Sequence, residues 1–395
     1  MKTSTSKRLR WNVAIWLAAG LFMTSTAGMA SGPILPDPKA EARHHPQIEE
    51  TANGIPLVNI TAPSSGGVSR NEYEMFNVPD KGAILNNSYT LSKTELAGYV
   101  PGNNNMAERP AKIIVNEVTG TGSTSMDGFL EVAGNRADVV IANPNGITVN
   151  GGGFINTGKA FLTTGKPVYD GEDHLQRFDI TGGDILIEGK GLGGKETESL
   201  AILSRAVKIN AGIWAEDLHI TTGANTVDAK TLEASAIEGK GGRPAFALDT
   251  AAIGGMYAGR ITLVGTEKGL GVNNSGTWSA EDNLTLDWNG DLKNSGTIYS
   301  KGNTDLRASR LENDKTIAAE RNLSAAAKEN IRNQGKLLAG ENMGIYAGKT
   351  LDNAGHAMES GNNLSIETGD AINNAAGTIK SGGSQQIKAG HTLTN

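Results

Sequence analysis

The sequence predicts an all-β solenoid, a right-handed parallel β-helix, on three observations. From about residue 50 onward it is built of short runs of Val, Ile, Leu and Thr, mostly alternating with polar residues and broken by Gly, Asn and Asp, the pattern of strands and turns. Glycine is abundant, at 52 residues, while aromatic residues make up 5%, so corners are frequent and backbones can stack closely. The last third also repeats itself: Asn274-Ser-Gly-Thr277 returns as Asn294-Ser-Gly-Thr297, a period of about twenty residues that marks a stacked array.

The chain opens with Lys2, Lys7, Arg8 and Arg10 ahead of an apolar run, Val13 to Met23, that ends among small residues. This is the make-up of a secretory signal over residues 1–30, cleaved after Ala27 or Ala30. The apolar run is shorter than the ~20 residues a membrane span needs, and no later segment is apolar enough to cross. Residues 31–49 hold Pro33, Pro36, Pro38, Pro46 and the pair His44 and His45 among charges, without apolar periodicity; they read as a linker.

Residues 50–273 form the first folded part. Glu196 to Val207 carries Leu200, Leu203 and Val207 at helical spacing, but the continuation through Ile209, Ile213, Leu218 and Ile220 alternates as strands do, so the solenoid runs through it.

Residues 274–395 form the repeats, with three apolar columns. The first runs Trp278, Ile298, Ile317, Leu337, Ala357, Ile379; the second Leu286, Leu306, Ala325, Ile345, Ile366, Ile387; the third Leu292, Leu311, Ile331, Leu351, Ile372, Leu393. Each column supplies one inward side chain per coil, with parallel strands about 4.8 Å apart. About seventeen such coils would make a rod of about 80 Å. The third column is followed by Asn294, Asn313, Asn333, Asn353, Asn374 and Asn395. These either stack as an amide ladder or occupy positive-φ turns. A leucine-rich repeat fits Leu284, Leu286 and Asn289 once, then fails, because Gly and Asn stand where its convex helix needs helix formers.

Four blocks carry a family resemblance: Glu50-Thr-Ala-Asn-Gly-Ile-Pro-Leu-Val-Asn-Ile60 with the segments up to Ser88; Ile141-Ala-Asn-Pro-Asn-Gly-Ile-Thr-Val-Asn150; Val207-Lys-Ile-Asn-Ala-Gly-Ile-Trp-Ala215; and Leu248-Asp-Thr-Ala-Ala-Ile-Gly-Gly-Met-Tyr-Ala258 followed by Gly265-Thr-Glu-Lys-Gly269. From about residue 50 to the end the chain resembles the two-partner-secretion domain and haemagglutinin-type repeats of filamentous haemagglutinin and contact-dependent-inhibition exoproteins. The resemblance implies an N-terminal cap on the β-helix and Sec export to the periplasm. It also implies passage through a cognate outer-membrane β-barrel transporter with periplasmic domains, and folding at the surface or outside a Gram-negative cell. A host or bacterial cell-surface receptor would be the eventual target of the parent adhesin or toxin.

Two short motifs are the candidate recognition elements. Asn143-Pro144-Asn145-Gly146 suits a tight turn between strands around Val139–Ile141 and Ile147–Val149, since proline presets φ, the first asparagine bonds to the turn and glycine suits the fourth place. By resemblance the same residues serve transporter recognition. A degenerate first motif is Asn103-Asn104-Asn105-Met106, which lacks the family's proline, so the rigidity that proline gives is in question there.

Other function classes find little support. A net charge of −6 and a pI near 5.6 argue against a nucleic-acid partner. With no cysteine there are no thiol metal sites, and stability must come from packing and hydrogen bonds. The alternative reading is a β-helical polysaccharide-degrading enzyme, for which Asp170, Glu172, Asp173 and His174 are the best acid–base cluster. They lie in a Gly-rich charged stretch that reads as a solvated loop, and no catalytic set, cofactor or metal site is expected. The isolated His219, His356 and His391 suggest no site, and His44 with His45 only a weak one. Because the repeat phase is intact at Leu393-Thr394-Asn395, the chain is expected to be the start of a longer protein or a truncated remnant, with terminal coils that fray or pair end to end.

Overall fold

A computed structural model describes residues 33–395 except 107 and 108; the export signal read over residues 1–30 lies outside the described residues. The body from Pro33 to Asn395 is a parallel β-solenoid of about thirteen coils. Each coil has three faces. In the repeats, the first face holds strands such as Thr297–Ser300 and Thr316–Ala319, the second Thr304–Ala308 and Leu323–Ala327, and the third Leu311–Asn313 and Ile331–Asn333. The third face is a continuous twelve-stranded parallel sheet.

Thirteen coils replace the expected seventeen, and at about 4.8 Å per coil the stack is about 60 Å long. The residues missing from the count are spent outside the coils. The antiparallel strands Lys166–Tyr169, Leu175–Ile180, Asn225–Asp228 and Ala234–Ala236 form a separate four-stranded sheet, and Ser92–Thr94 pairs with Gly98–Val100 as a hairpin.

The segment expected as a linker is structured. Ile34–Pro36 pairs antiparallel with the strand Val68–Phe76, and Gln47–Glu50 pairs antiparallel with Pro56–Asn59. Pro36 is tolerated because Ile34–Pro36 is an edge strand, paired with Val68–Phe76 on one side. Ile34 is buried, as is His44, whose Nδ1 lies 3.1 Å from Glu72 Oε1. These strands cover the open edge of the first coils, which would otherwise expose unpaired N–H and C=O groups. His45 is exposed, so the two histidines do not converge.

The inward columns follow the strand registers. The second and third columns pair as the alternation requires, for example Leu306 with Ala325 and Ile331 with Leu351. The first departs at one place: Leu337 pairs with Met358, not Ala357. The corner after Asn353 carries one more residue than the one after Asn333, closed by the His356 N–H on the Asn353 carbonyl with Gly355 at φ +76. A fixed twenty-residue step therefore lands one residue short.

The corner asparagines form a ladder. From Asn274 through Asn294, Asn313, Asn333, Asn353 and Asn374 to Asn395, each side-chain amide donates to the next side-chain oxygen at 2.7–2.8 Å. None of these residues has positive φ, so the turn-conformation alternative does not hold. A second ladder, at the corner before the second face, joins Asn283, Asn303, Asn322, Asn342 and Asn363 through each oxygen and ends on Ser384.

The secretion-side coils differ from the repeats in being covered on the outside of the second face. Val68, Val115, Val140, Phe161, Ala201 and Leu203 point outward there and pack with Phe178, Ile180 and Val227 of the four-stranded sheet. Strands buried on both sides read as unbroken apolar runs, which is why Val139-Val-Ile-Ala142 and Leu200-Ala-Ile-Leu203 do not alternate. In the repeats the outer side faces water and strands such as Met343–Ala347 alternate buried and exposed.

Candidate functional site

The Asn143-Pro144-Asn145-Gly146 motif forms the corner between Ala137–Ala142 and Ile147–Val149. The Gly146 N–H donates to the Asn143 carbonyl at 3.1 Å, closing the turn, and the Asn145 N–H donates to Asn143 Oδ1 at 2.9 Å. Asn143 is fully buried and its Nδ2 donates to the Gly122 carbonyl and to Thr124 Oγ1 on the preceding coil, at 2.9 and 3.0 Å. Gly146 adopts φ +113, and a Cβ there would meet the Asp184 carbonyl of the following coil at 3.0 Å, so glycine is required. Pro144 and Asn145 face solvent.

Asn103-Asn104-Asn105-Met106 has the same construction without proline. The Met106 N–H donates to the Asn103 carbonyl at 3.1 Å and the Asn105 N–H to Asn103 Oδ1 at 2.9 Å. Asn103 is buried, and its Nδ2 donates to the Ile60 and Asn86 carbonyls at 2.9 Å each. Met106 is buried beneath and Asn104 is exposed. The missing proline therefore does not change the turn.

The two remaining blocks lie two and three coils beyond the Asn143 corner. Val207-Lys-Ile-Asn-Ala-Gly-Ile-Trp-Ala215 passes from the strand Ala206–Ile209 into Gly212–Thr222. In Leu248 to Ala258, the Gly254 N–H closes a corner on the Ala251 carbonyl and leaves Ile253 83% exposed. Glu267, within Gly265-Thr-Glu-Lys-Gly269, accepts two bonds at 3.0 Å from Arg205, whose Nη1 also donates to the Lys240 carbonyl at 2.7 Å. That guanidinium holds the Glu267 carboxyl below its usual range and pins the excursion between the third and fourth strands of the outer sheet and the next coil. Nothing in the spacing of Arg205 and Glu267 marked them as partners.

The acidic cluster closes on itself. Asp170 Oδ1 accepts the N–H groups of Glu172 and His174 at 2.9 Å, and Oδ2 lies 2.9 Å from His174 Nδ1. These bonds, the His174 N–H first, keep the Asp170 carboxyl below its ordinary value. Asp173 pairs with Arg43 at 2.7 Å. This is a turn between outer strands bound to the N-terminal segment. Among the described residues, no group of three or more His, Asp or Glu side chains is arranged to hold a metal.

Together these elements make a capped parallel β-solenoid with buried asparagine corners near its N-terminal end and an asparagine-laddered shaft after them. The chain belongs to the TPS secretion-domain family: residues 33–299 match that domain, and residues 299–355 and 345–395 match the haemagglutinin repeat. It is 41% identical over 298 residues to a toxin CdiA of Yersinia pestis, covering 70% of this chain and 9% of that protein. It is 38% identical over 354 residues to a 16S rRNA endonuclease CdiA of Enterobacter cloacae, covering 82% of this chain and 10% of that one. The chain thus spans about a tenth of the length of these relatives. The crystal structure of a filamentous haemagglutinin secretion domain superposes with a TM-score of 0.55 at 26% identity, over 90% of this chain and 99% of that one.

Proposed function

We propose that this chain directs export of, and begins the shaft of, a large contact-dependent-inhibition exoprotein. After Sec-dependent passage into the periplasm and cleavage following Ala27 or Ala30, the unfolded chain would engage a cognate outer-membrane β-barrel transporter. It would then fold coil by coil at the cell surface or beyond it. The observation that carries this reading is the secretion-domain match over residues 33–299, joined without a break to haemagglutinin repeats. The relatives named as CdiA toxins and nucleases favour a toxin-delivery parent over an adhesin. In that case any nuclease activity, and the recognition of a host or bacterial cell-surface receptor by the parent protein, belong to other parts of it, and this part is not an enzyme.

Within the chain we assign export direction to the coils before residue 274 and the shaft to the repeats from there on. The exposed residues of the two corners, Asn104, Pro144 and Asn145, are the elements we assign to transporter recognition, while their buried asparagines hold the turns. A solenoid suits the route, because each new coil docks on the one before it and folding propagates from a formed end. The test is to express the gene with and without its cognate barrel and measure the chain in culture supernatant. Export should require the barrel; equal supernatant levels without it would overturn the proposal.

A further inference from the structure

One strip on the outside of the first face is unlike the rest of the surface. Strand register aligns Phe129, Gly153, Gly193, Trp214 and Tyr257 on five successive coils, a strip about 19 Å long at about 4.8 Å per coil. Phe129, Trp214 and Tyr257 are 44%, 37% and 38% exposed. Their rings lie down on glycines. A Cβ on Gly153 would stand 2.4 Å from Phe129 Cε1, one on Gly212 2.5 Å from Trp214 Cη2, and one on Gly255 2.8 Å from Tyr257 Cε2. Gly212 and Gly255 pair across the strands, as do Trp214 and Tyr257, and the last two rings are within 17° of parallel with centroids 6.2 Å apart. Glycine weakens a strand and often marks a place where something approaches the backbone closely. Here it lets aromatic rings lie along the sheet with one side open to water.

Polar groups border the strip. A cleft of about 390 Å³ beside Tyr257 is walled by Lys195, Glu216, Ser279 and Glu281, a volume in the range of small-ligand sites. Aromatic surface with hydrogen-bonding groups at its edge matches a ligand that has a C–H face and a rim of hydroxyls. The strip is one strand wide, far short of the ~800 Å² per partner that a stable protein pair buries, which argues against a second copy. Carboxylates at the edge and a net charge of −6 disfavour an anionic membrane surface.

The geometry points to a carbohydrate-binding strip on the secretion-side coils, with Trp214 and Tyr257 stacking on pyranose rings and the side chains beside Tyr257 hydrogen-bonding their hydroxyls. None of the corner residues assigned to transporter recognition takes part in it.

The test uses the full exported chain and acrylamide quenching of tryptophan fluorescence. Trp278 and Trp288 are buried, and Trp11 and Trp16 lie in the export signal, so quenching reports on Trp214. The probes are hexasaccharides of β-1,4-glucose, α-1,4-glucose, β-1,4-N-acetylglucosamine and β-1,4-mannuronate, with phosphatidylcholine vesicles and a non-ionic detergent as apolar probes. At least one sugar should protect Trp214. Calorimetry with that sugar should show binding lost in Trp214→Ala and weakened about tenfold or more in Tyr257→Ala and in Gly212→Ala, whose new Cβ displaces the indole. Tyr346→Ala, an exposed aromatic elsewhere (50% exposed), should bind as the native chain does, and all variants should keep the native melting temperature. Protection by no sugar, equal binding in Tyr257→Ala and Gly212→Ala, or protection by vesicles or detergent alone would overturn the inference.

Discussion

Asn103 and Asn143 make the same hydrogen bonds at two different corners of the solenoid. In each, the side-chain oxygen accepts the N–H two residues on at 2.9 Å, the main-chain carbonyl accepts the N–H three residues on at 3.1 Å, and the side-chain nitrogen reaches a carbonyl of a neighbouring segment. The shared element is the buried asparagine; proline is present in only one of the pair. Replacing Pro144 by Asn should therefore lower stability by less than about 1 kcal/mol, the scale of a proline's effect on the unfolded chain. Asn143→Ala strands buried donors and acceptors and should cost about 1–3 kcal/mol. Urea unfolding of the exported chain checks both, and equal losses would place the corner's rigidity in the proline.

Asn145→Pro removes the N–H that Asn143 Oδ1 accepts and puts proline where a type I turn disfavours it. Supernatant yield should fall and periplasmic degradation products rise. Normal yield would mean that export does not depend on this corner.

The asparagine ladder gives a graded expectation. Asn313→Ala removes the ladder partners of the Asn294 amide and the Asn333 oxygen in a buried row; these keep their bonds to the Gly296 and Thr316 carbonyls and to the Gly335 N–H, so the cost is about 0.5–1.5 kcal/mol for each bond lost. Asn363→Ala, in the exposed part of the second ladder, should stay within about 0.5 kcal/mol. Denaturation midpoints of the two variants measure the difference.

Ile331 is 1% exposed in the third column while Lys328, three residues earlier, faces solvent. Ile331→Asp buries an unpaired carboxylate and should cost several kcal/mol, roughly, whereas Lys328→Asp should shift the unfolding midpoint little. Similar midpoints would contradict the coil phase.

Burial holds the His219 imidazole down to a pKa of about 4, with Nε2 2.8 Å from Thr221 Oγ1. Unfolded, it titrates near the ordinary 6.5, so above that pH it is neutral in both states. As pH falls from about 6.5 to about 4 the unfolded chain takes the proton first, and stability drops. In His219→Gln this part of the pH dependence should vanish. A wild-type curve that overlays the variant between those pH values would contradict it.

Much of this was legible in the sequence because the physics is periodic. Alternation gave the second and third columns, and the twenty-residue spacing gave the asparagine row. The turn chemistry of Asn143 to Gly146 gave its corner. What escaped was aperiodic. One extra residue after Asn353 moved the first column from Ala357 to Met358. The cap strands Ile34–Pro36 and Gln47–Glu50 are hidden by their prolines and charges, since an antiparallel edge needs no apolar alternation. The outer four-stranded sheet left a signal that was there to be read: unbroken apolar runs such as Val139 to Ala142 require cover on both sides. The Arg205–Glu267 pair left none, because partners 62 residues apart meet only once the coils are stacked.

If the coils of the secretion domain, and not the repeats, direct export, the two parts of the chain should behave differently when separated. One fusion places residues 1–299, spanning the segment read as an export signal and the matched secretion domain, ahead of an unstructured reporter in cells that make the cognate barrel. A second fusion carries the export signal and residues 300–395 only. Reporter should appear in the supernatant from the first fusion, dependent on the barrel, and stay in the periplasm with the second. Equal release from the two, or release of the first without the barrel, would contradict it.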